Sequence, residues 1–190
     1  MLEAKPRNAQ STREAILLAA RIEFSRRAFS EVGLREIAKR AGVNIALPNR
    51  YFGSKGALFE AAVLPNLHLD ALLGGSLSGL EARLFTHFSS STDGSPQKDA
   101  LSAVALSQSD ASVQDAIRHT LEWRVVAPMT RWLGGTRARE RAMLILSLLL
   151  GHSQMASLPG VGGDKAAQDM LVSETVRQIM HLTAQGSSRF

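Results

Sequence analysis

The sequence predicts an all-helical protein, on three observations. Apolar residues recur three and four apart along nearly all of its 190 residues, the spacing that lines one face of a helix. Stretches that alternate apolar and polar are scarce, so no sheet is expected. The punctuation between periodic stretches is that of helices, with Ser or Asn before them and Gly after them.

The first helix is expected to begin at Ser11, because Ser11-Thr12-Arg13-Glu14 spells a capping box in which each end residue satisfies a backbone amide near the other. Ile16, Leu17, Ala20 and Phe24 form its buried stripe. A short second helix fits Leu34 to Ala41, with Gly33 as N-cap and Gly42 in the left-handed conformation that stops it. Leu34, Ile37 and Ala38 face inward. A third starts near Asn44 and stops by Phe52-Gly53. A fourth is capped by Ser54, carries Leu58, Phe59 and Ala62, and is kinked or ended by Pro65. Longer helices follow over 77–89, 97–107, 110–133, 136–156 and 164–184, with Pro128 kinking the third of these. Turn formers fill 89–96, Gly134-Gly135 and 158–163. Ala142 to Gly151 is apolar nearly all round, so it is either a central core helix or lies against another subunit. The final helix offers Leu171, Thr175, Ile179 and Leu182 as one face.

Composition sets the class. A chain of 20.5 kDa with 45% apolar and 21% charged residues can bury a core without covalent staples. It has no Cys, which removes disulfides, thiolate zinc sites and cysteine nucleophiles, and suits a reducing compartment. The longest apolar run is too short to cross a bilayer, and the first residues carry no apolar stretch of a secretory signal, so a cytoplasmic protein with no membrane partner is expected. Charge is uneven: residues 1–60 hold 11 Lys/Arg against 6 Asp/Glu, and residues 61–190 hold 11 against 11. The net charge of +5 therefore sits in the first third. A basic segment joined to a neutral one suggests one part that meets a polyanion and one that does something else.

Two short helices joined across Ala41-Gly42-Val43, behind an amphipathic first helix, have the layout of a helix-turn-helix. The residues then resemble a family. Ile16-Leu17-x-Ala19-Ala20 with Phe24, Leu34-Arg-Glu-Ile37-Ala38-Lys-Arg-Ala41-Gly42-Val43, and Tyr51-Phe52-Gly-Ser54-Lys55 with Leu58 look like the DNA-binding domain of the tetracycline-repressor (TetR) family. The match runs from about Ile16 to Leu58 and fixes helix stripe, turn and YFxSK signature in one order. It implies a helix-turn-helix DNA-binding domain at 1–56, followed by a larger helical effector-binding and dimerisation domain at 57–190.

Carried over residue by residue, the resemblance places Asn44, Ala46, Leu47, Asn49 and Arg50 toward the major groove, with Arg50 the leading candidate for guanine. Tyr51 and Lys55 would hold phosphates at the flanks. Gly33, Leu34 and Arg35, at the positive end of the second helix, would approach the DNA backbone. Several residues depart from the pattern. Gly33 replaces a hydroxyl cap, Asn49 replaces an aromatic, and Gly56 replaces an acid. Pro48 stands where an aliphatic is common; with Asn44 as cap, its missing amide removes a helical bond, and an irregular helix start is expected.

Other constellations carry less. His68, His87, His119, His152 and His181 are scattered, so neither metal nor cofactor is expected. His152-Ser153 points in two directions and lacks a triad, and Gly160, Gly162 and Gly163 lack the strand and Lys of a phosphate loop, so the chain is not expected to be an enzyme. Phe85, His87, Phe88, His119, Trp123 and Met129 are candidates to line an effector pocket. Leu146, Leu149, Leu150, Leu171, Ile179 and Leu182 are candidates for a homodimer interface built as a four-helix bundle. The expected function is a repressor that binds a near-palindromic double-stranded operator as a homodimer and is released by a small molecule. The rival is a helical protein-interaction adaptor that has lost operator binding, for which Pro48 is the ground.

Overall fold

The computed structural model describes residues 5–89, 96–157 and 164–185, and among them it holds eleven α-helices and no strand. These are α1 (Lys5–Arg26), α2 (Leu34–Ala41), α3 (Ala46–Phe52), α4 (Lys55–Ala62), α5 (Asp70–Leu73), α6 (Leu80–Ser89), α7 (Pro96–Ser107), α8 (Gln114–Leu121), α9 (Ala127–Leu133), α10 (Ala138–Ser157) and α11 (Lys165–Ala184). Of the turn-rich stretches expected at 89–96 and 158–163, Ser89 ends α6 and Pro96 begins α7, and the rest lie outside the described residues.

Several element boundaries follow local capping. Gly42 takes φ +66° and closes α2 as expected, and the Ser54 hydroxyl accepts from the Ala57 amide at 3.1 Å to open α4. Asp164 does the same for α11 through the Ala167 amide at 2.9 Å. Three expectations need correction. First, α1 starts at Lys5 rather than Ser11. Helix formers Ala9 and Gln10 continue the pattern upstream, and Glu14 accepts from the Gln10 side chain at 2.6 Å. Second, short helix α5 and 3-10 turns at Phe29–Glu31, Leu64–Asn66 and Leu77–Gly79 punctuate the chain; they are too brief for periodicity to register. Third, the single helix expected over 110–133 is α8, a π-helical turn at Glu122–Val126, and α9. Pro128 has no amide to return to Arg124, and the Ala127 amide reaches back to Glu122 instead. The kink expected at Pro128 is thus a widened turn just before it.

The chain forms two compact units: residues 5–66 with 96–118, and residues 67–89 with 119–157 and 164–185. In the first, α1 packs against α2, α4 and α7. Phe24, Phe29 and Phe59 fill the centre, with ring centroids 5.0–5.8 Å apart, two pairs edge-on and one stacked. Compactness therefore does not break at residue 56, since Phe59 of α4 belongs to this core. In the second unit α11 packs on α6 and α10, and α9 on α10. Arg141, 3% exposed, lies inside it and donates to the carbonyls of Thr136 and Leu182 at 3.2 Å and to that of Gly134. Such a charge is kept in the interior by several acceptors at once.

Candidate nucleic-acid interface

Helices α2 and α3, joined through left-handed Gly42, make the helix-turn-helix. Ile37 and Ala38 are buried, while Arg35 and Lys39, one turn apart, are exposed. Leu34 is half-buried. The Gly33 amide is already spent, because Glu36 Oε2 accepts it at 2.8 Å. A Cβ at position 33 would stand 3.2 Å from that oxygen, the free end of an exposed side chain, and nothing in the structure explains glycine where a hydroxyl cap is usual. Of the α2 N-terminus, Arg35 rather than the Gly33 amide points outward.

The start of α3 corrects the expectation at Pro48. Asn44 bonds twice: its Oδ1 accepts from the Ala46 amide and its carbonyl from the Leu47 amide, both at 2.9 Å. The helix begins at Ala46, two residues later than expected. Pro48 falls in the first turn, where an amide has no helical acceptor and proline is tolerated. Its ring is buried, acting as the inward-facing apolar residue. The sequence pattern missed this because it did not show which Asn44 oxygen would cap. The opposite face of α3 presents Asn44, Ile45, Ala46, Asn49 and Arg50 to solvent, with Leu47 and Tyr51 half-buried at its edge. Among the described residues Asn49 and Arg50 have no intramolecular side-chain partner. An amide and a guanidinium left free on one helix face are the groups that pair with adenine and guanine edges.

The cations around this face are unequal. Glu23 on α1, 8% exposed, accepts from Arg27 and Arg40 at 2.5 Å each, and Arg27 also reaches Glu36 at 2.9 Å. This chain ties the end of α1 to both ends of α2. Burial alone would push the Glu23 carboxyl up; the Arg40 and Arg27 guanidiniums outweigh it and hold it below its usual value. The Arg27 guanidinium holds Glu36 low as well. Lys55, expected at a phosphate, turns inward: Nζ donates to the carbonyls of Phe29 at 2.8 Å and Val32 at 3.1 Å, and lies 4.2 Å from the Phe29 ring centroid. Two of its three donors are consumed, so the lysine clamps α4 to the turn before α2. The pattern could not show this contact, which spans 26 residues.

The second unit redistributes the other candidates. A small, half-open apolar cleft with a cavity of about 20 Å³ is lined by Leu69, Leu72, Leu84, Met129, Trp132 and Leu149, among others, with no charged side chain. Of the six expected pocket residues only Met129 borders it. Phe85 is half-buried away from it, Phe88 packs edge-on against His152 at 4.3 Å, and His119 is exposed. Trp123 is 66% exposed in the π-helical turn, which rotates it outward. The expected dimer face is corrected too. Leu146, Leu149 and Ile179 are at most 5% exposed, inside the unit's own core, and Leu150 and Leu182 are half-buried. The outer faces instead carry Met143, Leu144 and Met155 on α10 and Met170 with Leu171 on α11, each more than 40% exposed. Of the expected interface residues, Leu171 alone is exposed, at 41%.

Comparison with known proteins agrees with this architecture. Residues 16–62 match the model of the bacterial regulatory proteins of the tetR family, and residues 79–182 match a tetracyclin repressor-like C-terminal domain. A probable HTH-type transcriptional regulator, YttP of Bacillus subtilis, is 43% identical over 53 residues; the match covers 28% of this chain and 26% of that protein's length. Among solved structures, NalD of Pseudomonas aeruginosa, the secondary repressor of a multidrug efflux pump, superposes with a TM-score of 0.63 at 19% identity, over 90% of this chain and 97% of that one. A transcriptional regulator from Rhodococcus sp. Rha1 superposes with a TM-score of 0.60 at 20% identity, over 91% and 96%. With the C-terminal match alone covering more than half of the chain, this protein belongs to the TetR family and is a DNA-binding transcriptional regulator of the helix-turn-helix type.

Proposed function

We propose that the chain is a repressor that binds a near-palindromic operator as a homodimer and is released by an uncharged, apolar small molecule. The observation that carries the reading is the outer face of α3, with Asn49 and Arg50 unpaired and Pro48 packed inward. This face removes the ground for the adaptor reading, which needed Pro48 to spoil the helix. In this reading residues 1–56 read DNA and residues 57–190 bind the effector and dimerise. Arg50 and Asn49 contact bases. Ala46 and Leu47 border them, Arg35 and Tyr51 meet phosphates, and the Asn44 side chain serves mainly as the cap.

The dimer rests on the exposed methionines and leucines of α10 and α11. An apolar surface of that extent is covered in solution, and a second copy presenting the same two helices covers it symmetrically. The effector reading rests on the cleft, whose cavity of about 20 Å³ must widen to admit a ligand. Its walls are aliphatic with one indole, and the Thr183 hydroxyl at its edge is turned to the Met180 carbonyl at 2.7 Å, so nothing there compensates a ligand charge. Filling the cleft favours one arrangement of its helices, and by linkage operator and effector weaken each other's binding equally, typically by about 1–3 kcal/mol. The repressor sense follows NalD and the family name. Among the described residues no helix is long and apolar enough to cross a membrane, which agrees with a cytoplasmic site of action.

The test is recovery of genomic fragments by purified protein at moderate salt, followed by sequencing. Enrichment of one near-palindrome, bound by two copies per site, is the expected result. Sequence-blind, salt-sensitive retention of all fragments would overturn the operator reading.

A further inference from the structure

We propose that Arg13, at the start of the buried stripe of α1, is a phosphate contact that works with the reading helix. The assignment comes from sorting the cations of the first unit by what already holds them. Arg27 and Arg40 are paired with Glu23 and Glu36, Arg21 with Asp99 of α7 at 3.3 Å, and Lys55 is held by two carbonyls, while Arg26, Arg35, Lys39 and Arg50 are exposed with no side-chain partner of either kind, charged or aromatic, among the described residues. Arg13 differs. It is exposed, it has no carboxylate partner among the described residues, and its guanidinium lies over the Phe52 ring, 5.2 Å from the centroid.

Phe52 is the last residue of α3, so this contact fixes an α1 side chain against the reading helix itself. A ring face engages the flat side of a guanidinium and leaves its in-plane N–H donors pointing outward. A planar donor set with its orientation already fixed is the geometry that phosphate oxygens take two at a time. At 100° per residue, Phe52 lies about 60° from Asn49 around the helix axis. Tyr51 and Leu47 lie on the other side of the exposed face, beyond Arg50. Arg13 and Tyr51 thus stand on opposite flanks of the base-reading groups, where the two strands bordering a major groove would pass. The ligand is the backbone phosphate of duplex DNA, read without regard to sequence.

This assignment rests on the DNA-binding reading and is tested by equilibrium binding of an operator duplex and of a random duplex over a salt series. Arg13→Ala should weaken both duplexes by the same factor. It should also lower the slope of log affinity against log salt by about 0.9 per lost contact, or about 1.8 for a two-protomer complex. Arg13→Lys keeps the charge and should keep the slope. A folded Arg13→Ala protein, with wild-type helicity and melting temperature, whose slope equals wild type would overturn the assignment. So would a loss confined to the operator duplex, which would make Arg13 a base contact. Wild-type protein that binds neither duplex at low salt would instead overturn the DNA-binding reading.

Discussion

Apart from Arg141 on its three carbonyls, the two units are held together in different ways. Around α2 and α3, side chains are held by directed bonds: Glu23 between two arginines, Lys55 under two carbonyls, Asn44 on two amides. The interior beneath is three interlocking phenylalanine rings. The second unit is held by leucines around a cleft, and five large apolar side chains of α10 and α11 stay exposed. Directed bonds define one geometry and lose much of their energy when it is disturbed, which suits a part that must match a groove. Aliphatic packing around a void tolerates rearrangement at lower cost, which suits a part that must bind a second copy and respond to a ligand.

The largest effect that sharpens this contrast is expected inside the second unit. Leu149→Glu sets an unpaired charge among leucines and should cost about 4 kcal/mol or more, seen as loss of helical signal. Leu144→Glu, on the outer face of the same helix, should leave the fold intact and yield monomers in sedimentation. A stable dimer of Leu144→Glu would move the interface elsewhere; a folded Leu149→Glu protein would contradict the core described for α10.

A smaller effect is expected in the first unit. The Glu23 carboxyl is lower in the folded chain than its usual 4.5. Its ionic contribution is therefore fully present above the unfolded value and is lost as pH falls through the folded one. Melting temperature should drop as acid is added below about 4.5, and Glu23→Gln should remove that part of the dependence at a cost of about 1.5–3 kcal/mol at neutral pH. An acid profile identical in the variant would show that the bridge between Arg27 and Arg40 contributes nothing.

The smallest is at Lys55. Lys55→Met should cost about 1 kcal/mol of stability and leave the salt slope of DNA binding unchanged. A flattened slope would return Lys55 to the phosphates, as its place in the YFxSK signature suggests.

What was legible in the sequence follows the range of the interaction. Gly42, Ser54 and the Ile16 to Phe24 stripe act within a turn or two of themselves, and the helices they define appear close to where they were expected. The cap at Asn44 was visible, but not that it would use its carbonyl and its side-chain oxygen together, and Pro48 was misjudged for that reason. Glu23 with Arg40, and Lys55 with Phe29, join residues 17 and 26 apart, beyond any pattern of spacing. In α10 the helical period sets Leu144 well apart in angle from Leu146 and Leu149. It does not say which side the rest of the chain covers, so the dimer face was assigned to the inner residues.

The central claim is that α3 reads bases through its outer face. The direct measurement is selection of bound sequences from a random duplex pool by wild-type protein and by Arg50→Ala in parallel. The account predicts a near-palindrome for wild type. In the variant, preference should vanish at one symmetric pair of positions, with specific affinity lower by about 1–3 kcal/mol. Identical motifs from the two proteins, or no motif from wild type, would contradict it.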